Sequence, residues 1–273
     1  MKRSLLPIWD GVSKPIIGML HVPALPGAPG YAGDPAAVLN RVLADAETLA
    51  AGGVDGLMLE NFGDAPFYPT RVPAGVVAHL TRIAVEVRRR CALPLGINVL
   101  RNDGLAALAI AHAVQAEYIR VNVLCGARVT DQGIIEGIAH ELLRERRRLG
   151  ADAIRIFADV NVKHSAPVGP PRSIREEVAD LVERARADAV IVTGGGTGQQ
   201  AGAGDVAQVH DASGTIPVIL GSGVRVDNVA ALLPHADGII AGTSLKVDGI
   251  VTNPVDAQRV AALVKAVRDS VAS

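Results

Sequence analysis

Ala153-Ile-Arg-Ile-Phe-Ala-Asp-Val-Asn-Val-Lys-His164 alternates two chemistries with a period of two. Ile154, Ile156, Ala158, Val160 and Val162 make one row, and Arg155, Phe157, Asp159, Asn161 and Lys163 make the other. Successive side chains of a β-strand point to opposite faces, so each row belongs to one face. An arginine, an acid, an amide and a lysine on one face are more than a half-buried surface strand needs. That row reads as the inside of a site. Asp159, Asn161 and Lys163, near the end of the strand, are expected to point into its opening, and Arg155 to lie deeper and hold a polar layer of the core.

Outward from this strand, apolar strand-like runs alternate with helix-like runs, the pattern of βα repetition. Upstream lie runs at 15–22, 54–62, 93–102 and 118–124; downstream lie 189–194, 216–223 and 238–246. Between them helices are expected from Asp34, an N-cap followed by Pro35 in first position, over 75–90, from Asp103 to Val114, and over about 133–149. Further helices are expected over 173–187, from Asp205, from about Asp227, and over 254–271. Eight strands, each followed by a helix, predict a single α/β domain over residues 1–273, a (β/α)8 TIM barrel. A doubly wound open sheet is the other way to arrange such units, and the count of eight disfavours it.

Composition agrees with a parallel barrel. Aromatic residues are only 3% of a chain that is 49% hydrophobic, with mean hydropathy +0.30. The core must therefore be built from Ala, Val, Ile and Leu, which suits parallel strands under small-faced helices. Lys plus Arg total 27 against 28 for Asp plus Glu, so no broad field attracts nucleic acid or an anionic membrane, and a charged partner must be recognised locally. Arg144, Arg146, Arg147 and Arg148 close a helix and read as a solvated face that complements its dipole. No apolar run reaches the ~20 residues of a membrane span, and Pro7 and Asp10 cut the early apolar run short of a signal peptide. Cys91 and Cys125 form neither a CxxC pair nor a metal spacing. A cytoplasmic protein with free thiols is expected, and a homo-oligomer is the ordinary state for such an enzyme.

A TIM barrel does its chemistry at the C-terminal strand ends. Polar residues gather there: His21, then Glu60 and Asn61, Asn98 and Arg101, Asn122, the group Asp159, Asn161, Lys163 and His164, then Thr193, Ser222, and Thr243, Ser244 and Lys246. Any one of them would pass as a satisfied loop residue; together they mark a site. Gly221-Ser-Gly223 and Gly242-Thr-Ser244 follow the last two strands, where barrels often hold phosphate on backbone N–H groups that small residues leave accessible. Thr193 and Gly194, with Asn98 and Asn122, are expected to extend that binding surface. The loop from Gly194 to Ala201 contains G-x-G-x-x-A, but it lies in the sixth βα unit with no acidic partner about twenty residues on, so no nucleotide cofactor is predicted.

For catalysis, Lys163 beside Asp159 can serve as acid, base or, if desolvated, Schiff-base nucleophile; a structural ion pair explains the two residues equally well. Glu60 and His21 are further acid–base candidates, with Asn161 and His164 beside them. Glu60, His21 and Asp159 can also supply a divalent metal, although no ligand spacing announces one. No G-x-S-x-G elbow supports a hydrolase triad.

Gly18-Met-Leu-His21, Pro23-Ala-Leu-Pro-Gly27, Glu60-Asn-Phe-Gly-Asp-Ala-Pro-Phe67, Arg120-Val-Asn-Val123, Thr130-Asp-Gln-Gly133, Ala158-Asp-Val-Asn-Val-Lys-His164, Thr193-Gly194 and Gly221-Ser-Gly223 together resemble the BtpA/SgcQ family, in order along nearly the whole chain. The resemblance implies a TIM barrel in the ribulose-phosphate-binding style. It also implies two kinds of role: photosystem I accumulation, after which the family is named, and small-molecule chemistry, since other members sit among sugar-metabolism genes. It transfers no proven catalytic residue. Three functions follow: an isomerase or lyase acting on a phosphorylated sugar or related metabolite, an assembly or stability factor for a membrane complex, and a metal-dependent hydrolase.

Overall fold

The structure is a computed structural model that describes residues 4–194 and 202–272. In chain order its strands and helices are β1 (Ile16–His21), α1 (Pro35–Ala51), β2 (Gly56–Glu60), α2 (Ala74–Arg90), β3 (Leu95–Asn98), α3 (Gly104–Val114), β4 (Tyr118–Val121), β5 (Ala127–Thr130), β6 (Gly133–Glu136), α4 (Ala139–Arg148), β7 (Arg155–Val160), β8 (Ser165–Pro167), α5 (Ile174–Ala179), β9 (Ala189–Val192), α6 (Ala203–Ala212), β10 (Val218–Leu220), α7 (Val229–Leu232), β11 (Gly238–Ala241) and α8 (Ala257–Ala272). Eight parallel strands close a barrel in the order β1, β2, β3, β4, β7, β9, β10, β11 and back to β1. The stretch 153–164 supplies β7, the fifth barrel strand. The expected caps form: Asp34 accepts from the N–H groups of Ala36 and Ala37, and Asp103 from that of Ala106.

Alternation along the strands sorts side chains into two apolar layers. Ile156, Ala158 and Val160 face outward under the helices, in the larger cluster. Ile17, Met19, Met58, Tyr118, Phe157, Ile191, Ile219 and Ile240 fill the barrel, which Leu5, Leu6 and Trp9 close from below. Tyr118 stacks on Phe157 with ring centroids 4.9 Å apart, and its hydroxyl donates to the Leu57 carbonyl at 2.6 Å. That placement requires Gly96 on the neighbouring strand, because a Cβ there would stand 2.0 Å from the tyrosine ring.

Every second barrel strand is pinned at its base by an acid just before it. The carboxylates of Asp55, Glu117, Asp188 and Asp237 accept the N–H of Ile16, Leu95, Ile156 and Val218 on the preceding strand, at 2.7–2.9 Å. Each acid returns the bond through its own N–H to the carbonyl of that same residue. Helical arginines neutralise three of them: Arg268 on Asp55, Arg88 on Glu117 and Arg146 on Asp188.

Three expectations are corrected. Arg155 does not reach a core layer; it sits at the base of β7, half exposed, bound to Asp188 at 3.0 Å. Arg146 is not part of a purely solvated face, since it shares that acid. The helix expected from about residue 133 begins at Ala139, and residues 133–136 instead form β6, which pairs with β5 and, through it, with β8 in a small antiparallel sheet over the loops that follow β4 and β7. The glycine loop from 195 to 201 lies outside the described residues.

Candidate active site

Above the apolar interior, the ends of β3, β4 and β7 meet in one buried charge network. Arg120 Nε donates to Asp159 Oδ1 at 2.8 Å and Nη2 to Oδ2 at 2.9 Å. Asn122, two residues along the same strand face, donates to Asp159 Oδ2 at 2.9 Å. Asn98 donates to the Arg120 carbonyl at 3.2 Å and to Asn122 Oδ1 at 3.3 Å. The arginine and aspartate side chains are 3% and 0% exposed, so the fork-to-fork geometry is what makes their burial tolerable. Burial alone would lower the Arg120 pKa; the Asp159 charge and hydrogen bonds outweigh it and hold the guanidinium above its ordinary value. With its oxygens taken up by Arg120 and Asn122, Asp159 orients those two groups.

β1 and β2 add a second pair. His21 and Glu60 are register partners, with Nε2 and Oε1 3.9 Å apart, and the imidazole packs 4.8 Å from the Phe62 ring. Burial raises the Glu60 carboxyl, against the opposing pull of Arg120 and Lys163. Burial, with the charges of Lys246, Lys163 and Arg120, lowers His21 well below 6.5, so its imidazole stays neutral at physiological pH. Gly242, at the end of the adjoining strand β11, makes room for that ring, since a Cβ there would lie 2.8 Å from His21 Cε1. Lys163 is half-buried, and burial first, then Arg120, lowers its ammonium.

Two cavities open here. One, of about 180 Å³, is walled by Gly221, Ser222, Gly223, Gly242, Thr243 and Ser244, together with Arg225. The other, of about 340 Å³, is walled by Glu60, Phe62, Phe67, Arg101, Asn122 and His164. Arg120 and Lys163 line both. Buried polar atoms are ordinarily hydrogen-bonded. Among the described residues four buried side-chain atoms have no partner: Gln132 Oε1, between β5 and β6, and His21 Nδ1, Asn98 Oδ1 and Thr193 Oγ1, which belong to strand ends around this mouth.

The chain matches the BtpA family over residues 12–269. It belongs to that family. An uncharacterized protein of Thermococcus kodakarensis is 48% identical over 260 residues, which cover 95% of this chain and 97% of the relative. The photosystem I biogenesis protein BtpA of Synechocystis is 44% identical over 259 residues, covering 95% and 90%. Among solved structures, N-(5'-phosphoribosyl)anthranilate isomerase of Pyrococcus furiosus aligns with a TM-score of 0.57 at 14% identity, covering 94% of this chain and 99% of its own. A native KDPGal structure aligns at 0.60 and 15%, covering 95% and 97%. At such identities the likeness speaks for the fold, a TIM barrel.

In this BtpA-family barrel the residues expected from sequence divide. Glu60, Asn122, Lys163, Gly221, Ser222, Gly223, Gly242, Thr243 and Ser244 line the two cavities, with His21 beside Glu60, Asp159 behind Arg120 and Asn98 behind Asn122. Ser222 Oγ accepts from the Gly194 N–H at 2.9 Å, which ties the sixth strand end to the seventh. Asn161 lines neither of these two cavities: β7 ends at Val160, Asn161 turns through φ +49°, and its exposed side chain accepts from Arg128 at 3.0 Å in a third cavity that Asn122 and Asp159 also wall. His164 is exposed at the rim. Lys246 leaves the site and makes a buried ion pair with Asp45 on α1 at 2.7 Å. Glu60, His21 and Asp159 do not converge as metal ligands, and no three His, Cys, Asp or Glu among the described residues do; Arg120 already holds both Asp159 oxygens. Sequence reasoning gathers Arg101 with the strand-end residues but gives no site role to Arg120 or Arg225. Only the strand-face alternation Arg120-Val-Asn122 signals the first, and nothing local distinguishes Arg225 from a surface arginine.

Proposed function

We propose that this barrel is an enzyme of the isomerase or lyase type acting on a phosphorylated sugar or related small metabolite. The observation that carries the reading is that Arg120 and Lys163 line both cavities, so one molecule can place an anion among the glycines and its reacting carbons beside Glu60. Backbone N–H groups of 221–223 and 242–244, with Arg225, suit the anion. Glu60, raised by burial, is the proton carrier, and neutral His21 beside it sets its position. Asp159 holds Arg120 and Asn122 against the substrate. The two free cysteines and near-neutral charge support a cytoplasmic setting.

Inorganic phosphate and dihydroxyacetone phosphate, titrated in a melting assay, test the reading. A ligand bound only by the folded chain at one hundred times its Kd contributes about 2.7 kcal/mol, or on the order of 5–10 °C for a domain of this size. Unchanged melting temperatures with both would refute the anion site.

A second reading, a stability factor for a membrane complex, draws on the name of the Synechocystis relative. Val129, Ile134 and Ala166 lie side by side in register on the solvent face of the small sheet, and a partner would have to cover that row. The row is short beside the polar mouth, and no helix of the described residues is long and apolar enough to cross a membrane.

A further inference from the structure

Lys163 differs from the other lysines of the described residues. Lys246 is paired with Asp45 and Lys265 with Asp269, and Lys14 donates to the Ala236 carbonyl. The Lys163 amine has no hydrogen bond or ion pair among the described residues. The local structure instead uses its backbone: the Lys163 carbonyl accepts from Arg101 Nη2 at 2.6 Å. Its side chain lines both cavities at the point where they meet. Arg120 and Arg101 disfavour a third cation here; Glu60 and Asp159 favour it, but Asp159 is already engaged by Arg120 and Asn122. A half-buried amine beside fixed cations, without an acceptor of its own, is activated as a nucleophile.

We propose that Lys163 forms a Schiff base with the carbonyl carbon of a phosphorylated aldehyde or ketone. The proposal deepens the function given above and rests on it only for the phosphate. The neutral amine adds its lone pair to the carbonyl carbon, and the oxygen takes a proton to give a carbinolamine. A second proton on that hydroxyl lets it leave as water, while the nitrogen, having lost one of its two hydrogens on the way, closes the C=N bond as an iminium. One amine, one carbonyl and one proton become one iminium and one water. Glu60, on the wall of the same cavity, supplies and retrieves these protons. The iminium then accepts the electron pair of a neighbouring C–H bond, whose proton passes to the Glu60 carboxylate, or of a neighbouring C–C bond. In the first case the proton returns to the opposite face of that carbon and epimerises it. In the second the hydroxyl on the departing carbon gives its proton to the Glu60 carboxylate, that fragment leaves as a carbonyl compound, and the enamine left behind takes a proton. In both cases water then adds to the iminium and frees the product and the amine. Neither needs an oxidant or reductant.

Trapping decides the matter. The full chain is incubated with dihydroxyacetone phosphate or glyceraldehyde 3-phosphate in the presence of sodium cyanoborohydride, which reduces an iminium to a stable secondary amine, and the adduct is mapped by peptide mass spectrometry. The adduct is expected on Lys163 in preference to Lys14 and Lys265, and its complete loss at that position in Lys163→Arg. Glu60→Gln is expected to slow its formation. Labelling of Lys163 no faster than of exposed Lys265 overturns the proposal. The Lys163→Arg chain is also melted with inorganic phosphate: a retained shift shows that fold and anion cavity survive the substitution. A phosphate shift in the natural chain without a Lys163 adduct removes the Schiff base and leaves the anion site; an adduct without a phosphate shift does the reverse.

Discussion

Arg120 and Asp159 are each other's condition for being buried. Removing one leaves the other a buried, uncompensated charge, at a cost of about 3–5 kcal/mol. Arg120→Met should therefore lower stability by that order in a denaturant titration. Adding Asp159→Leu should recover part of the loss, because neighbours in one network are not additive. Glu60 runs the other way. Its carboxyl resists ionisation in the fold, so the ionised native state is penalised above its raised pKa, and that penalty fades as pH falls through the raised value toward the ordinary 4.5. Glu60→Gln should consequently melt higher than the natural chain at neutral pH, with the gap closing in acid, while turnover of the substrate is lost. Melting curves of the two chains across pH check the sign; a gap that widens in acid would contradict it.

The acids before β2, β4, β9 and β11 tie every second strand of the barrel to its predecessor by two reciprocal bonds. Glu117→Ala strands the Leu95 N–H and takes the carboxylate from Arg88, which keeps only backbone carbonyls, and should cost about 1–3 kcal/mol. Gly96→Ala drives a methyl into the Tyr118 ring, which its hydroxyl bond and the Phe157 stack hold in place. Overpacking of this kind costs about 1–3 kcal/mol, and thermal melts of both variants test these values. The eight barrel strands were legible because strands buried on both faces read as short apolar runs, such as Ala189–Val192, set between helix-like runs, and only 153–164 adds a period of two. The repeated acid was visible as Asp55, Glu117, Asp188 and Asp237, yet its spacing along the chain is uneven and its meaning lies in a bond to the previous strand. Residues 133–136 read as the start of a helix because two isoleucines and a glutamate fit either period. What decides for β6 is pairing with β5, and Gly137 then turns so tightly against Cys125 that a Cβ would stand 2.4 Å from its Cα.

The site as a whole was legible by position and opaque by partnership. Barrel topology places the ends of β1, β2, β4, β7, β10 and β11 around one mouth, which is why residues remote in sequence from Asp159 could be gathered from strand ends alone. Which of them bond each other depends on register and side-chain reach across the sheet. So Arg120 emerged as the partner of Asp159, Lys246 left for Asp45, and Asn161 turned out toward Arg128. The molecule that results has a cavity of about 180 Å³ walled by glycines and a larger one of about 340 Å³ walled by Glu60, sharing Arg120 and Lys163. The measurement that tests this arrangement most directly is a crystal structure grown or soaked with inorganic phosphate. The account predicts density for a tetrahedral anion between residues 221–223 and 242–244, within hydrogen-bonding reach of their N–H groups. A phosphate bound only elsewhere at the mouth, or none at all at saturating concentration, would contradict it.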